Sequence, residues 1–148
     1  MARLLAIDYG KKRCGIAVTD SLQIVANGLT TVASDTLCAF VKNYVAHQQV
    51  ERIIVGFPTT MRGTESDSMR YIRPGVERLR KAVPDVPVEF FDERFTSVLA
   101  HRAMIDGGMK KLDRRDKAIV DEISATIILN DYISSRELRS TMETQVSD

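Results

Sequence analysis

Residues 3–19 read RLLAIDYGKKRCGIAVT and contain two short apolar runs joined by a polar turn. Residues 3–9 and residues 15–19 each have the length of a buried β-strand, and residues 10–13 form the turn between them. A polar turn of this size between two strand-like runs is typical of a β-hairpin. The sequence therefore predicts that the chain starts with two antiparallel strands.

After this hairpin the chain alternates between strand-like and helix-like segments. Apolar composition predicts three further strands, around residues 29–32, 52–57 and 86–91. Apolar residues at helical spacing predict four helices, over residues 35–45, 69–82, 96–105 and 115–133. Asp35 is placed to cap the first helix, and Pro74-Gly75 is expected to kink or delay the second.

This order of elements implies an α/β fold. Three antiparallel strands followed by alternating helices and strands imply a mixed five-stranded sheet that is covered by helices. In such sheets, ligands bind beyond the carboxyl ends of the strands. We expect a single domain over residues 1–136, followed by a polar, flexible tail over residues 137–148.

Composition narrows the class of protein. The chain has 148 residues, of which 44% are hydrophobic and 28% charged, as in ordinary globular domains. No apolar run is long enough to cross a membrane and no cleavable signal is evident, so we expect a cytoplasmic protein without a membrane partner. Cys14 and Cys38 lack the spacing of a zinc site or a disulfide framework. The net charge of +1 excludes a polycation that coats nucleic acid, so any phosphate binding must be local.

Three acidic residues stand out because of where the pattern places them. Asp8 continues the face of Leu4 and Ala6 at the end of a strand that is predicted to be central and buried. Asp121 lies on a partly apolar stripe of the last helix, and Glu93 follows the last strand. Each has an ordinary structural explanation, because Asp8 could accept hydrogen bonds from the following turn and the other two could pair with Arg or Lys. Together, however, the three carboxylates could meet at one point, which a divalent cation would stabilise.

Four blocks of sequence carry a family resemblance. In chain order they are DYGKKR at 8–13 with GIA at 15–17, GFP at 56–58, DERFTS at 92–97 and VD at 120–121. Their combination closely resembles the YqgF/RuvX family over about residues 3–133. The resemblance implies a ribonuclease H-like fold, in a family described as Holliday junction resolvases and as nucleases that mature the 5′ end of pre-16S ribosomal RNA. It also implies that Asp8, Glu93 and Asp121 correspond to the acidic triad of that family.

The origin of the second acid departs from many ribonuclease H-like nucleases, which place it at the end of the fourth strand. Here residues 55–58 carry no carboxylate, so Glu93 must come from the fifth strand, which in this fold lies two strands from Asp8. With strands about 4.8 Å apart, Glu93 has to reach across roughly 10 Å of sheet over Gly56. We expect Gly56 to be small so that carboxylate and metal have room, and the alternative is that Gly56 begins the turn before Pro58.

The resemblance implies a metal-dependent reaction. Two Mg²⁺ or Mn²⁺ ions would activate water and neutralise the leaving group of a phosphodiester. Asp8 would bind both ions, with Glu93 and Asp121 each completing one side. Backbone phosphates would be held by cations and a hydroxyl, namely Lys11, Lys12, Arg13, Arg94 and Thr96. Aromatic residues are not interleaved with the cations along the sequence, which favours recognition of backbone shape over base stacking.

Functions of different classes remain open. An endonuclease that matures the 5′ end of pre-16S rRNA is favoured, with pre-rRNA and ribosomal particles as partners, and a resolvase of four-way DNA junctions is the alternative. A noncatalytic ribosome or nucleic-acid binding factor would keep the fold and tolerate Asp8→Asn. Nucleotide binding of the actin-like kind is disfavoured because 148 residues supply one domain and no GxxxxGK[ST] loop occurs. No long apolar stripe commits the chain to a dimer, so we expect a monomer or a weak homodimer.

Overall fold

The computed structural model of the chain describes residues 2–57, 69–92 and 121–136. Its strands are β1 (Arg3–Tyr9), β2 (Arg13–Thr19), β3 (Ala26–Ala33), β4 (Val50–Phe57) and β5 (Val88–Asp92). Its helices are α1 (Leu37–His47), α2 (Met69–Ala82) and the helical residues 121–136, which we call α3. Within the described residues, no helix has the length and apolarity required to span a bilayer.

The five strands form one sheet in the order β3-β2-β1-β4-β5. Strands β1, β2 and β3 pair antiparallel, whereas β4 pairs parallel with both β1 and β5. The predicted hairpin and the predicted mixed sheet are therefore confirmed. The carboxyl ends of β1, β4 and β5 lie at the same edge of the sheet.

The two faces of the sheet carry separate apolar cores. On one face, Leu5, Ile7 and other side chains of the central strands pack against buried residues of α1 and α2. On the other face, Leu4, Ala6 and Ile54 pack against α3. Side chains alternate along a strand, so the residue after Ile7 belongs to the α3 face. Asp8 is that residue.

The start of α1 differs from the prediction that Asp35 caps the helix. Asp35 lies within a 3₁₀ turn, Ser34–Thr36, and Thr36 is the N-cap residue of α1. The Leu37 N–H is already bonded to the Ser34 carbonyl across this turn, and the Thr36 hydroxyl donates to the Ala33 carbonyl at 2.9 Å. The backbone of the 3₁₀ turn thus caps the start of α1, a role that the sequence pattern assigned to the Asp35 carboxylate.

The predicted delay of the second helix is wrong, because α2 runs through Pro74-Gly75 as one helix. Gly75 lies against Tyr9, and a Cβ atom at this position would overlap the phenol ring. The absence of a side chain therefore lets α2 approach β1 closely. The predicted helix over residues 96–105, the start of the last helix before residue 121 and the predicted tail lie outside the described residues.

Candidate active site

Asp8 lies at the carboxyl end of β1, at the edge where sites form in sheets of this kind. Its side of the strand is covered, and the residue is 7% exposed. In the sheet register Asp8 faces Gly15 on β2 and Gly56 on β4. A buried carboxylate thus has a glycine on each neighbouring strand.

Gly15 brings α3 onto the sheet beside Asp8. A Cβ atom at Gly15 would overlap the backbone carbonyl of Asp121, so the two backbones touch here only because Gly15 has no side chain. Burial raises the pKa of the neighbouring Cys14 thiol, and the negative charges of Asp8 and Asp121 raise that pKa further. Asp8 lies opposite Gly15 in the register and the backbone of Asp121 touches Gly15, so the structure brings Asp8 and Asp121 into one region.

Asp121 forms an ion pair with Arg13, whose Nε atom donates to its Oδ2 atom. The Asp121 side chain is 21% exposed and the Arg13 side chain 36% exposed. This is the salt bridge to a nearby cation that the sequence left open as an alternative for Asp121. Arg13 was also expected to hold phosphate, so one guanidinium has two competing partners.

The turn between β1 and β2 forms the wall of an open cleft of about 280 Å³. The cleft is lined by Gly10, Lys11, Lys12, Arg13 and Asp121. The predicted phosphate-binding cations of the first turn therefore lie beside one of the predicted acids. Lys11 and Lys12 are exposed, so both are accessible to a ligand in the cleft.

The remaining predicted site residues, Glu93, Arg94 and Thr96, lie outside the described residues. The strand that leads to Glu93 is described, and it runs two strands from β1 as predicted. Gly56 lies between Asp8 and Phe91 in the register. Strand β4 continues through Gly56 to Phe57, so Gly56 does not begin the turn.

The donor set near the cleft suits a hard divalent cation. Carboxylate oxygens are the ligands that Mg²⁺ and Mn²⁺ prefer, and Asp8 and Asp121 contribute two carboxylates. Among the described residues, no three His, Cys, Asp or Glu side chains are grouped closely enough to hold a metal. A third acidic ligand would have to come from elsewhere in the chain, and Glu93 follows directly on β5.

Comparison with known proteins identifies the family. The sequence model of RuvX, described as Holliday junction resolvase, matches residues 2–135. The chain belongs to the RuvX family. A relative from Phocaeicola vulgatus named "Putative pre-16S rRNA nuclease" is 64% identical over 137 residues, covering 93% of this chain and 99% of that protein. A relative of the same name from Porphyromonas gingivalis is 51% identical and covers 91% of this chain and 98% of its own.

Solved structures place the RuvX-family chain in a fold class. It is similar to Thermus thermophilus RuvC in complex with Holliday junction substrate, with a TM-score of 0.59 and 17% identity over 93% of this chain and 96% of that one. A second Thermus thermophilus RuvC structure gives a TM-score of 0.53 at 13% identity, covering 91% of this chain and 96% of that one. The ribonuclease H-like fold implied by the sequence is thereby confirmed.

Two features of this RuvX-family site were not found by sequence reasoning. Gly15 belongs to one of the family motifs, but the sequence did not show why a glycine is needed there. The structure shows that Gly15 contacts the backbone of Asp121, which lies more than a hundred residues away in the chain. A glycine directly opposite an acid in the hairpin register was the available signal. The second feature lies outside the cleft, on the α2 face of the sheet, where the Phe90 ring lies 5.9 Å from the Arg73 guanidinium carbon and 5.7 Å from that of Arg80. Cations and an aromatic ring are thus interleaved in space although they are separated in sequence.

Proposed function

We propose that this RuvX-family chain is a divalent-metal-dependent endonuclease that matures the 5′ end of pre-16S rRNA. The observation that carries the proposal is the contact between α3 and Gly15. Gly15 lies opposite Asp8 on the neighbouring strand β2, so this contact brings Asp121 close to Asp8. The names of the close relatives support RNA as the substrate. We further propose that residues 1–136 form the single nuclease domain and that residues 137–148 are a tail outside it.

In this proposal the metal site consists of Asp8, Asp121 and Glu93. Side chains alternate along strands, so a continuation of β5 would give Glu93 the same face as Phe91, the face of Asp8. The three carboxylates would hold two Mg²⁺ or Mn²⁺ ions, with Asp8 shared. When bound, the ions would lower the pKa of a water and polarise the phosphate oxygens.

The protein's own cations would position the substrate. Lys11 and Lys12 line the cleft and would bind the phosphates that flank the cut. Arg13 would join them once its carboxylate partner has another cation, and Arg94 and Thr96 are proposed to contribute from the segment after β5. Contacts of this kind orient a nucleic-acid strand without reading its sequence. Precursor ribosomal particles would then supply the correct cut site by presenting the RNA.

Cleavage of two labelled substrates tests the proposal. A pre-16S RNA 5′ segment and a four-way DNA junction would be incubated with Mg²⁺ or Mn²⁺ and the wild-type chain. Asp8→Asn keeps the size of the side chain and removes its charge, so it should abolish cutting. Asp85→Asn makes the same chemical change at an exposed position between α2 and β5, and it should cut like the wild type.

The two substrates distinguish the candidate functions. RNA cutting that is lost in Asp8→Asn and kept in Asp85→Asn supports the proposal. Symmetric paired nicks in the junction would support resolution, which the family description favours as the second candidate, acting as a weak homodimer. If neither substrate is cut, or if Asp8→Asn cuts like the wild type, the catalytic proposal fails and a noncatalytic binding factor takes its place.

A further inference from the structure

Helix α2 concentrates positive charge on an otherwise nearly neutral chain. The chain has 21 Lys and Arg against 20 Asp and Glu. Within its 14 residues, α2 carries five of those cations and one acid, Glu77. The five cations are Arg70, Arg73, Arg78, Arg80 and Lys81. The rest of the chain is therefore net negative, and the surface of α2 is a local basic patch of the kind that binds phosphates.

Three of these arginines follow one side of the helix. Arg70, Arg73 and Arg80 are spaced by three and seven residues, which places them in one row, with Glu77 between Arg73 and Arg80. At a rise of 1.5 Å per residue the row is about 15 Å long. We call these three residues the α2 arginine row.

Two members of the row are held in place by β5. The guanidinium carbons of Arg73 and Arg80 lie within 6 Å of the Phe90 ring, at the distance of a cation–π contact. Arg80 also donates to the Val88 carbonyl at 3.0 Å and pairs with Glu77 at 2.7 Å. These contacts fix the guanidinium groups before any ligand binds, which lowers the entropy cost of binding.

The α2 arginine row leads toward the candidate active site. Arg80 lies beside Val88 at the start of β5, and Arg73 lies beside Phe90 further along. Arg70 therefore continues the row toward the carboxyl end of the strand. Phe90 packs edge-to-face on Phe57 with a centroid distance of 5.5 Å, and Phe57 pairs with the last residue of β5, immediately before Glu93.

We infer that the α2 arginine row is a second nucleic-acid contact surface, which binds the phosphates of the RNA segment flanking the cut phosphodiester. The row lies on the α2 face and Asp8 on the α3 face, but β5 is an edge strand of the sheet that residues 2–57, 69–92 and 121–136 form. An RNA strand that enters the site over the ends of β4 and β5 would pass around this edge onto the row. The inference rests on the proposed function, because it assigns a binding surface to the same substrate.

The test measures binding without cleavage, in an Asp8→Asn background. Fluorescence anisotropy of a labelled single-stranded pre-16S RNA segment would give the Kd at a series of salt concentrations from about 50 to 200 mM. The slope of log Kd against log salt concentration counts the phosphate contacts. Arg73→Gln should lower this slope by about 0.7, and Arg70→Gln/Arg73→Gln by about 1.4. A DNA strand of the same sequence should show the same changes because the contacts are to phosphates.

Two control variants separate charge at the row from charge in general. Lys42→Gln removes one exposed cation from α1, and it should leave the slope unchanged. Arg73→Lys keeps the charge at the row and should keep the slope. Equal slopes for Arg73→Gln and Lys42→Gln would overturn the inference while leaving the nuclease proposal intact. Failure of the Asp8→Asn background to bind either strand would also overturn the inference, whereas cleavage by the wild-type chain decides the nuclease proposal separately.

Discussion

Arg13 neutralises Asp121 in the absence of any metal, and this places a competitor at a proposed metal ligand. The Nε atom of Arg13 donates to the Asp121 carboxylate, whose side chain is about one-fifth exposed. A divalent cation bound to the same Oδ2 atom would weaken this ion pair, because the guanidinium and the metal repel each other and share one acceptor. We therefore expect metal binding to favour release of Arg13 toward the cleft, where the two neighbouring lysines lie.

Removing the competitor should strengthen metal binding. We expect Arg13→Gln to be about 1 kcal/mol less stable than the wild type without metal, because the ion pair between Arg13 and Asp121 is lost. We also expect Mn²⁺ to raise the Tm of Arg13→Gln more than that of the wild type, since ligand stabilisation grows with affinity. Thermal unfolding with and without Mn²⁺ measures both effects, and Lys12→Gln is the matched control. Equal Mn²⁺ shifts in Arg13→Gln and the wild type would show that the two cations do not compete.

Gly15 offers a second prediction at the scale of one residue. Gly15→Ala places a Cβ atom against the backbone of Asp121, so it should lower the free energy of unfolding by about 1–3 kcal/mol and weaken Mn²⁺ binding. Gly28→Ala is the matched control, because its Cβ atom would meet Glu122 and Thr126 at ordinary distances of 3.4–3.8 Å. Urea unfolding of both variants provides the comparison. A Gly15→Ala protein as stable as Gly28→Ala would contradict the close contact.

The candidate site was only partly predictable at this scale. Asp8 could be recognised because its strand is short and its apolar neighbours are adjacent in sequence. The pairing of Asp121 with Arg13 could be weighed only as one option among several, because 108 residues separate the partners. No local pattern specifies a contact at that separation, whereas a strand or helix is specified by residues within a few positions of one another.

At the scale of elements, α2 combines two residues that usually disfavour helices. Pro74 lacks an N–H and normally interrupts the hydrogen-bond ladder, and Gly75 has a high entropy cost. The helix nevertheless spans both, since its buried residues Ile72, Val76 and Leu79 pack on the sheet. Propensity predicted a kink or a delayed start, and tertiary packing overrode the delay. The hairpin and the strands were predictable because propensity and packing agree there.

The two residues should respond to alanine in opposite directions. Gly75→Ala improves helix propensity but places a Cβ atom into the Tyr9 ring, so we expect a loss of about 1–3 kcal/mol of stability. Pro74→Ala, at an exposed position of the same helix, should instead stabilise the protein by up to about 3 kcal/mol. Urea unfolding of the two variants decides the matter. Stabilisation by Gly75→Ala would mean that Tyr9 moves aside at little cost.

At the scale of the molecule, one sheet separates two cores, and each core encloses a titratable group. Burial raises the pKa of the Tyr9 phenol and of the Cys14 thiol in the core under α1 and α2. Burial likewise raises the pKa of Tyr132 in the core under α3, where its hydroxyl accepts from Arg52 at 3.1 Å. Folding therefore favours the neutral form of all three groups.

These shifts predict alkaline destabilisation. A group whose folded pKa lies above its unfolded value contributes stability that is complete below the unfolded pKa and is lost as pH rises toward the folded pKa. The ordinary values are 9.0 for the thiol and 10.0 for the phenols, so the free energy of unfolding should fall above about pH 9. Urea unfolding across that range measures the slope. Cys14→Ala should remove the earliest part of the decline, and a flat profile would contradict the prediction.

The ion pair between Arg13 and Asp121 joins two residues that are synthesised at different times. They are 108 residues apart, and a ribosome adds about 5–20 residues per second, so roughly 5–20 s pass between the synthesis of Arg13 and that of Asp121. The β1–β2 hairpin needs only its own residues and can form during that interval, but the carboxylates of Asp8 and Asp121 cannot meet. On the proposed function, a growing chain would be unable to cut RNA until its last helix had been made.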